Sequence, residues 1–226
     1  MSLGEGAEMA GGPAAGFVLA GGRSSRMGTD KALILLGGRP LIAHALDILR
    51  GAGLSASLAG AGAGLERFAQ VVADEEPDRG PLGGICSALA MTPAAQAVFL
   101  PVDMPFLPPS LILYLIGHAV VTGVPVTVTA VSGAVQPFPV VIGRATLPVL
   151  KDLLDAGRGG CLSAFEAAAA HFGQQVAVLP VEILVQCGQV VHPRGGLPAA
   201  LWFLNVNTPE GFRRASAVHD CLHRVS

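Results

Sequence analysis

The sequence predicts an α/β fold: one domain with a mostly parallel central sheet and helices on both faces. Three observations predict it. Apolar runs of strand length, such as Gly16–Ala20 and the run AVFLPVD ending at Asp103, alternate with helix-length segments. Glycine or proline opens several of those segments, at Pro40, Gly80 and Pro108. The strand-length runs are apolar without a polar alternate, which suits strands covered on both faces.

The elements follow in chain order. Gly16 to Ala20 reads as a buried strand bounded by glycine. After Pro40, residues Leu41, Ile42, Ala45, Leu46 and Leu49 recur at helical spacing, with His44, Asp47 and Arg50 opposite them. Leu54–Ala59 and Ala69–Ala73 are short strands, and GPLGGICSALAM from Gly80 is a helix. The run into Asp103 is a central strand, and PPSLILYLIGHAV from Pro108 is a helix. Val124 to Gly143 holds two β-rich runs around Ser132-Gly133, a hairpin pattern. Leu147–Leu154 and Leu162–Phe172 read as helices, and Gln175–Leu179 as a strand. Glu182–Pro198, punctuated by glycine and proline, is expected to be a loop. ALWFLNV reads as a strand, and Thr208–Val218 as a closing helix capped by Thr208. Residues 1–15 are expected to be a disordered arm and 16–220 the domain.

Composition excludes several classes. Hydrophobic residues make up 51% of the chain and charged residues 13%, about half the usual charged share, so disorder is not expected within the domain. A formal net charge of -2 gives no basic field for nucleic acid or acidic membranes. No apolar run has the length of a membrane span. The first residues lack the basic start and apolar core of a signal peptide. Cys86, Cys161, Cys187 and Cys221 form no C-x-x-C pair, so they fit reduced thiols in a cytoplasm.

Two features carry chemistry. The first strand runs into Gly21-Gly22 and then Arg23, Arg26 and Lys31. Ligands of open α/β sheets bind beyond the carboxyl ends of the strands. Glycines there let backbone N–H groups approach phosphate oxygens, and the cations add charge. The spacing is neither a Walker loop nor G-x-G-x-x-G. The alternative is a solvated basic loop. The second feature is Asp103, at the end of another buried strand and able to face the same cleft. Magnesium prefers such oxygen ligands and bridges them to substrate phosphates. The alternative is a turn or cap aspartate.

LAGGRSSRMGTDK, GPLGGICSAL and PVDMPF resemble the molybdenum cofactor guanylyltransferases, the MobA family. The family's first motif, close to L-A-G-G-x-S-x-R-M-G-x-D-K, is matched at every specified position by Leu19 to Lys31. FLNVNTPEGF resembles the closing N-V-N-T-P-E-D motif, with Gly211 in place of the usual aspartate. The resemblance spans Phe17 to Phe212. It implies a Rossmann-like nucleotidyltransferase fold. It also implies transfer of GMP from GTP to the terminal phosphate of molybdopterin, with release of pyrophosphate.

The roles that the resemblance implies fall on named residues. Leu19, Ala20, Gly21 and Gly22 would line the nucleotide site, with Lys31 and Arg26 on the phosphates. Asp74 would contact the nucleotide, and Gly80, Pro81 and Leu82 would border the guanine. Asp103 would hold Mg2+. Asn205 and Asn207 would help hold the metal or the pterin. Implied partners are GTP and molybdopterin as substrates, and other cofactor-biosynthesis proteins or apo-molybdoenzymes. The incoming phosphate monoester is largely ionised at neutral pH, so the reaction needs positioning and charge neutralisation more than a base.

The sequence departs from the family in ASLAGAGAG, which lacks an asparagine often found there, and in AGRGGCLSAF, where Arg158 stands without a basic partner. Gln136-Pro137 fits a family variant. Rival readings are a molybdopterin cytidylyltransferase, another small-molecule nucleotidyltransferase, or a catalytically silent nucleotide-binding relative. Cytidylyltransferases of the molybdopterin type usually read L-A-A-G, so Gly21-Gly22 favours guanine. The six histidines show no ligand spacing and are expected to be bystanders.

Overall fold

The computed structural model describes residues 14–21, 30–60, 64–74, 79–157 and 160–224. Its first strand, β1, spans Ala14–Leu19, two residues earlier than the strand expected from Gly16. A single 3-10 turn at Lys31–Leu33 follows, then a small ribbon of β2 (Leu35–Leu36) and β3 (Arg39–Pro40). Helix α1 (Leu41–Gly51) starts directly after Pro40. Next come β4 (Ala56–Ala59), β5 (Val71–Val72), α2 (Gly80–Met91), β6 (Gln96–Pro101) and α3 (Pro109–Thr122).

The second half holds β7 (Val126–Val131), β8 (Ala134–Gly143), α4 (Leu147–Asp155), α5 (Cys161–His171) and β9 (Ala177–Pro180). It closes with α6 (Val181–Gln186), α7 (Ala199–Trp202) and α8 (Pro209–Arg224). Ser132 and Gly133 turn the β7–β8 hairpin with φ of 51° and 77°, the positive values that a tight hairpin turn requires.

Among the described residues, seven strands form one sheet in the order β5-β4-β1-β6-β8-β7-β9. Only β8 runs against the rest: it pairs antiparallel with β6 and with β7, and every other pairing is parallel. The expected mostly parallel sheet is therefore present. Period-two alternation sends Val18, Val98 and Leu100 into one core and Phe17, Leu19, Ala97 and Phe99 into the other. α1, α3, α6, α7 and α8 contribute to the first core, and α2, α4 and α5 to the second. Phe17 and Phe99 stack across adjacent strands with ring centroids 5.5 Å apart, so two continuous apolar layers hold β1 and β6 in the middle of the sheet.

Two expectations are corrected. ALWFLNV is not a strand: Ala199–Trp202 form α7, and the chain from Phe203 to Thr208 is irregular. Pro198 sets the start of that turn, and Trp202 is buried with its indole N–H donating to the Leu197 carbonyl at 2.9 Å. A short apolar run buries equally well as a helical turn, so its pattern alone does not separate the two. The expected loop Glu182–Pro198 begins as helix α6, anchored by buried Val181 and Leu184, and becomes irregular after Gln186. No helix among the described residues is long and apolar enough to cross a membrane.

Candidate active site

The carboxyl ends of β5, β4, β1 and β6 lie along one edge of the sheet because those strands are parallel. Three of them lead to sequence-predicted residues. β1 runs out through Leu19 and Ala20 to Gly21, β5 leads to Asp74, and β6 leads to Asp103. Pairing continues past the strand ends: Ala20 donates to the Ala59 carbonyl at 3.1 Å, and Val102 to the Leu19 carbonyl at 3.2 Å. This edge is thus an extension of the sheet and inherits its rigidity.

Gly21 is a true close approach. A Cβ there would lie 2.1 Å from the Gly60 carbonyl oxygen, a contact that backbone cannot yield easily. Gly60 itself has φ of 65° and faces Asp74: a Cβ on Gly60 would lie 3.3 Å from Asp74 Oδ2. Gly84, in the first turns of α2, would place a Cβ 3.4 Å from the Gly60 nitrogen and 3.5 Å from Asp74 Oδ1. Gly80, Pro81 and Leu82 open the same helix. Side-chain-free positions 60 and 84 therefore bring the ends of β4 and α2 against the Asp74 carboxylate, and Gly21 brings the end of β1 against Gly60. Gly60 and Gly84 are absent from the residues expected at the site; the doubled glycines of PLGGI are the one signal in the sequence that points to Gly84.

Asp74 Oδ1 is buried and accepts no hydrogen bond among the described residues. Burial pushes its carboxyl above the ordinary value of 3.8. The folded chain thus holds that proton more tightly than the unfolded chain. The stability penalty sets in as the pH rises above 3.8 and is complete above the folded value. Asp74→Asn should therefore raise Tm at pH 7, and the gain should shrink toward zero as the pH approaches 3.8. Thermal denaturation across that range checks it; a variant less stable than the parent at pH 7 would contradict the desolvation.

Lys31 and Asp103 meet. The Lys31 ammonium donates to Asp103 Oδ2, and the two side chains are 21% and 10% exposed. Asp30 caps the 3-10 turn by accepting from the Ala32 N–H at 3.0 Å, which fixes the backbone that carries Lys31. The Val206 N–H donates to the Asp103 carbonyl at 3.0 Å, so the Asn205–Val206 segment is tied to the end of β6. Asn205 Oδ1 and Asp103 Oδ1 are both buried without a hydrogen bond among the described residues. Asn205 reaches this edge from an irregular segment, not from the expected strand, and Asn207 is exposed. Gly22 and Arg26 lie outside the described residues, as does Arg158.

The donor set suits a hard cation that completes its shell from substrate. Among the described residues no group of three His, Cys, Asp or Glu side chains could hold a metal. The Asp103 carboxylate and the Asn205 amide each keep a buried oxygen without a hydrogen bond among the described residues, the oxygen type that such an ion takes beside phosphate and water. Gly211 packs against this segment, since a Cβ there would lie 2.5 Å from the Asn205 carbonyl oxygen. Thr208 caps α8 as expected, accepting from the Gly211 N–H at 3.0 Å.

Several histidines have partners away from this edge. His44 Nε2 lies 3.0 Å from the Leu36 carbonyl, and the His219 and His223 rings stack at 4.0 Å. Burial holds His44 and His219 below their ordinary value, with the nearby histidines adding to the effect at His219. None of the four cysteines is in a disulfide; Cys86 is buried, and Cys187 and Cys221 are exposed.

Comparison with known proteins identifies the family and the fold. Residues 16–180 match the MobA-like NTP transferase domain. A molybdenum cofactor guanylyltransferase from Xanthomonas euvesicatoria is 46% identical over 101 residues, which span 44% of this chain and 52% of that protein. A probable molybdenum cofactor guanylyltransferase from Haloferax mediterranei is 34% identical over 215 residues, 90% of this chain and 93% of that protein. Molybdopterin-guanine dinucleotide biosynthesis protein A from Archaeoglobus fulgidus superposes with a TM-score of 0.73 at 21% identity, covering 92% of this chain and 99% of that one. Rv0371c from Mycobacterium tuberculosis, solved as a complex with manganese, shares the fold at a TM-score of 0.59 and 22% identity, covering 92% and 99%.

Proposed function

The chain belongs to the MobA-like NTP transferase family, and we infer that it is a molybdenum cofactor guanylyltransferase that transfers GMP from GTP to the terminal phosphate of molybdopterin. The observation that carries this reading is the meeting of Lys31 and Asp103 beyond the ends of β1 and β6. It supports the reading because phosphates bind beyond the strand ends of such sheets, where a cation and a metal-capable carboxylate would serve them.

In the reaction, an oxygen of the molybdopterin phosphate attacks the α-phosphorus of GTP. That P–O bond forms while the bond to the bridging β-phosphate oxygen breaks, and pyrophosphate leaves. The nucleophile is a phosphate with a second pKa of about 6, so no side chain must remove a proton. The task of the protein is to bring anions together and hold them in line. The backbone of Leu19, Ala20 and Gly21 would carry the nucleotide, with Gly22 and Arg26 proposed as further phosphate contacts. Lys31 would neutralise the triphosphate. Asp74 would meet the base or sugar, with Gly80, Pro81 and Leu82 bordering guanine. Asp103 and Asn205 would hold Mg2+, with Asn207 at the rim. The cation would supply charge neutralisation and orientation of the phosphates.

GTP and molybdopterin are the proposed substrates. Proteins that deliver molybdopterin, or apo-molybdoenzymes that receive the product, are proposed partners. Cysteines that form no disulfide suit a cytoplasmic setting.

Calorimetric titration with GTP, CTP, ATP and UTP, each with magnesium, tests the assignment. Selective GTP binding is expected. Preference for CTP would move the chain to a cytidylyl reaction, and binding of none would overturn the enzymatic reading.

A further inference from the structure

We propose that Lys31 is a counter-ion switch that couples cation binding to nucleotide binding, closing Asp103 to a divalent cation until a triphosphate draws the ammonium away. The inference rests on the reading of Asp103 and Asn205 as a cation site.

Three observations carry it. First, the Lys31 ammonium lies on Asp103 Oδ2, so the charge that would attract a cation is already neutralised. Second, the pair is not a finished structural contact. Asp103 Oδ1 and Asn205 Oδ1 remain buried without donors among the described residues, and buried oxygens that serve stability alone are normally satisfied. Third, the backbone of Lys31 is fixed by the Asp30-capped turn. The ammonium can swing on its four-carbon stem while the main chain stays in place.

The consequences follow from charge. A divalent cation that approaches the nucleotide-free site meets a like charge beside its carboxylate ligand. A triphosphate offers Lys31 a stronger partner and frees Asp103 as it does so. Linkage is reciprocal: what Lys31 withholds from the cation, Asp103 withholds from the nucleotide.

A double-mutant cycle of the full chain, Lys31→Met and Asp103→Asn singly and together, reads both sides without turnover. The first probe is Mn2+ alone, with free ion followed by electron paramagnetic resonance. Lys31→Met should bind Mn2+ at least about tenfold tighter than the parent, by removal of one adjacent positive charge. Asp103→Asn in that background should erase the gain. Lys31→Arg, which keeps the charge, should stay as weak as the parent and controls for folding. The second probe is GTP in excess EDTA, by calorimetry. Asp103→Asn should bind it severalfold tighter than the parent, and the gain should vanish in the double variant.

Equal Mn2+ affinity in the parent and Lys31→Met, or a gain that survives Asp103→Asn, would overturn the switch. The Mn2+ arm uses no nucleotide, so it reads the switch even where the guanine assignment fails. Failure of the switch leaves the outcome of the four-nucleotide titration untouched.

Discussion

Asp103→Asn should cut turnover by about 10³-fold, the upper end of what one electrostatic contact in a transfer site supplies, while the chain stays folded. The substitution keeps the shape of the side chain and removes only its charge. The fold survives because the tie from β6 to the closing segment is backbone to backbone, Val206 N–H to the Asp103 carbonyl. The Lys31 ammonium loses its partner, but its side chain is 21% exposed and can turn to water. Tm should therefore fall by no more than a few degrees. The loss should appear in kcat at saturating GTP and magnesium, because the carboxylate acts on charge that builds up during transfer. Raised magnesium should not restore it. Steady-state kinetics beside a thermal melt decide the matter. Parental kcat in a folded variant would remove Asp103 from the cation site, and a collapsed melt would make it a structural residue.

Much of this site is legible before the fold is known. Asp103 stands out because it directly follows the apolar run VFLPV, and the glycine-rich cationic stretch after the first strand gives that carboxylate a cleft to face. Lys31 stands out because a cation at the edge of an apolar run is out of place unless something holds it. Both signals are local, and local patterns survive folding. What the sequence does not disclose is long-range. The place of β8 between β6 and β7 depends on pairings such as Phe99 with Val140, and no short-range period encodes them. Asn205 reads as a strand residue because Trp202, Phe203 and Val206 are apolar. Those side chains are buried around an irregular turn instead. Gly60 and Gly84 are hard to recognise because a glycine declares only that it lacks a side chain. Which atoms need that space is known once two segments meet.

Gly21 sits at such a meeting, and Gly21→Ala should destabilise the chain by about 3 kcal/mol, the upper end of overpacking costs, which lowers Tm by about 6–12 °C in a chain of this size. The added carbon would sit 2.1 Å from the Gly60 oxygen and 2.9 Å from its carbonyl carbon, and both are backbone atoms. Neither side yields easily. The hydrogen bond from Ala20 to the Ala59 carbonyl fixes the two chains one residue earlier. Gly60 already occupies the left-handed region at φ of 65°, and Asp74 lies behind it. Relief must come from peeling the end of β1 off β4, which shifts the backbone proposed to carry the nucleotide. GTP affinity should fall together with stability. Gly117→Ala is the matched control. That glycine lies inside α3 at a negative φ, and a Cβ added there would meet nothing within 4 Å. Alanine at that position should be neutral or stabilise the helix by up to about 1 kcal/mol. Thermal melts of the two variants with and without GTP separate the causes. A Gly21→Ala variant as stable and as tightly binding as the parent would mean that β1 and β4 do not approach as closely as the Gly60 contact requires.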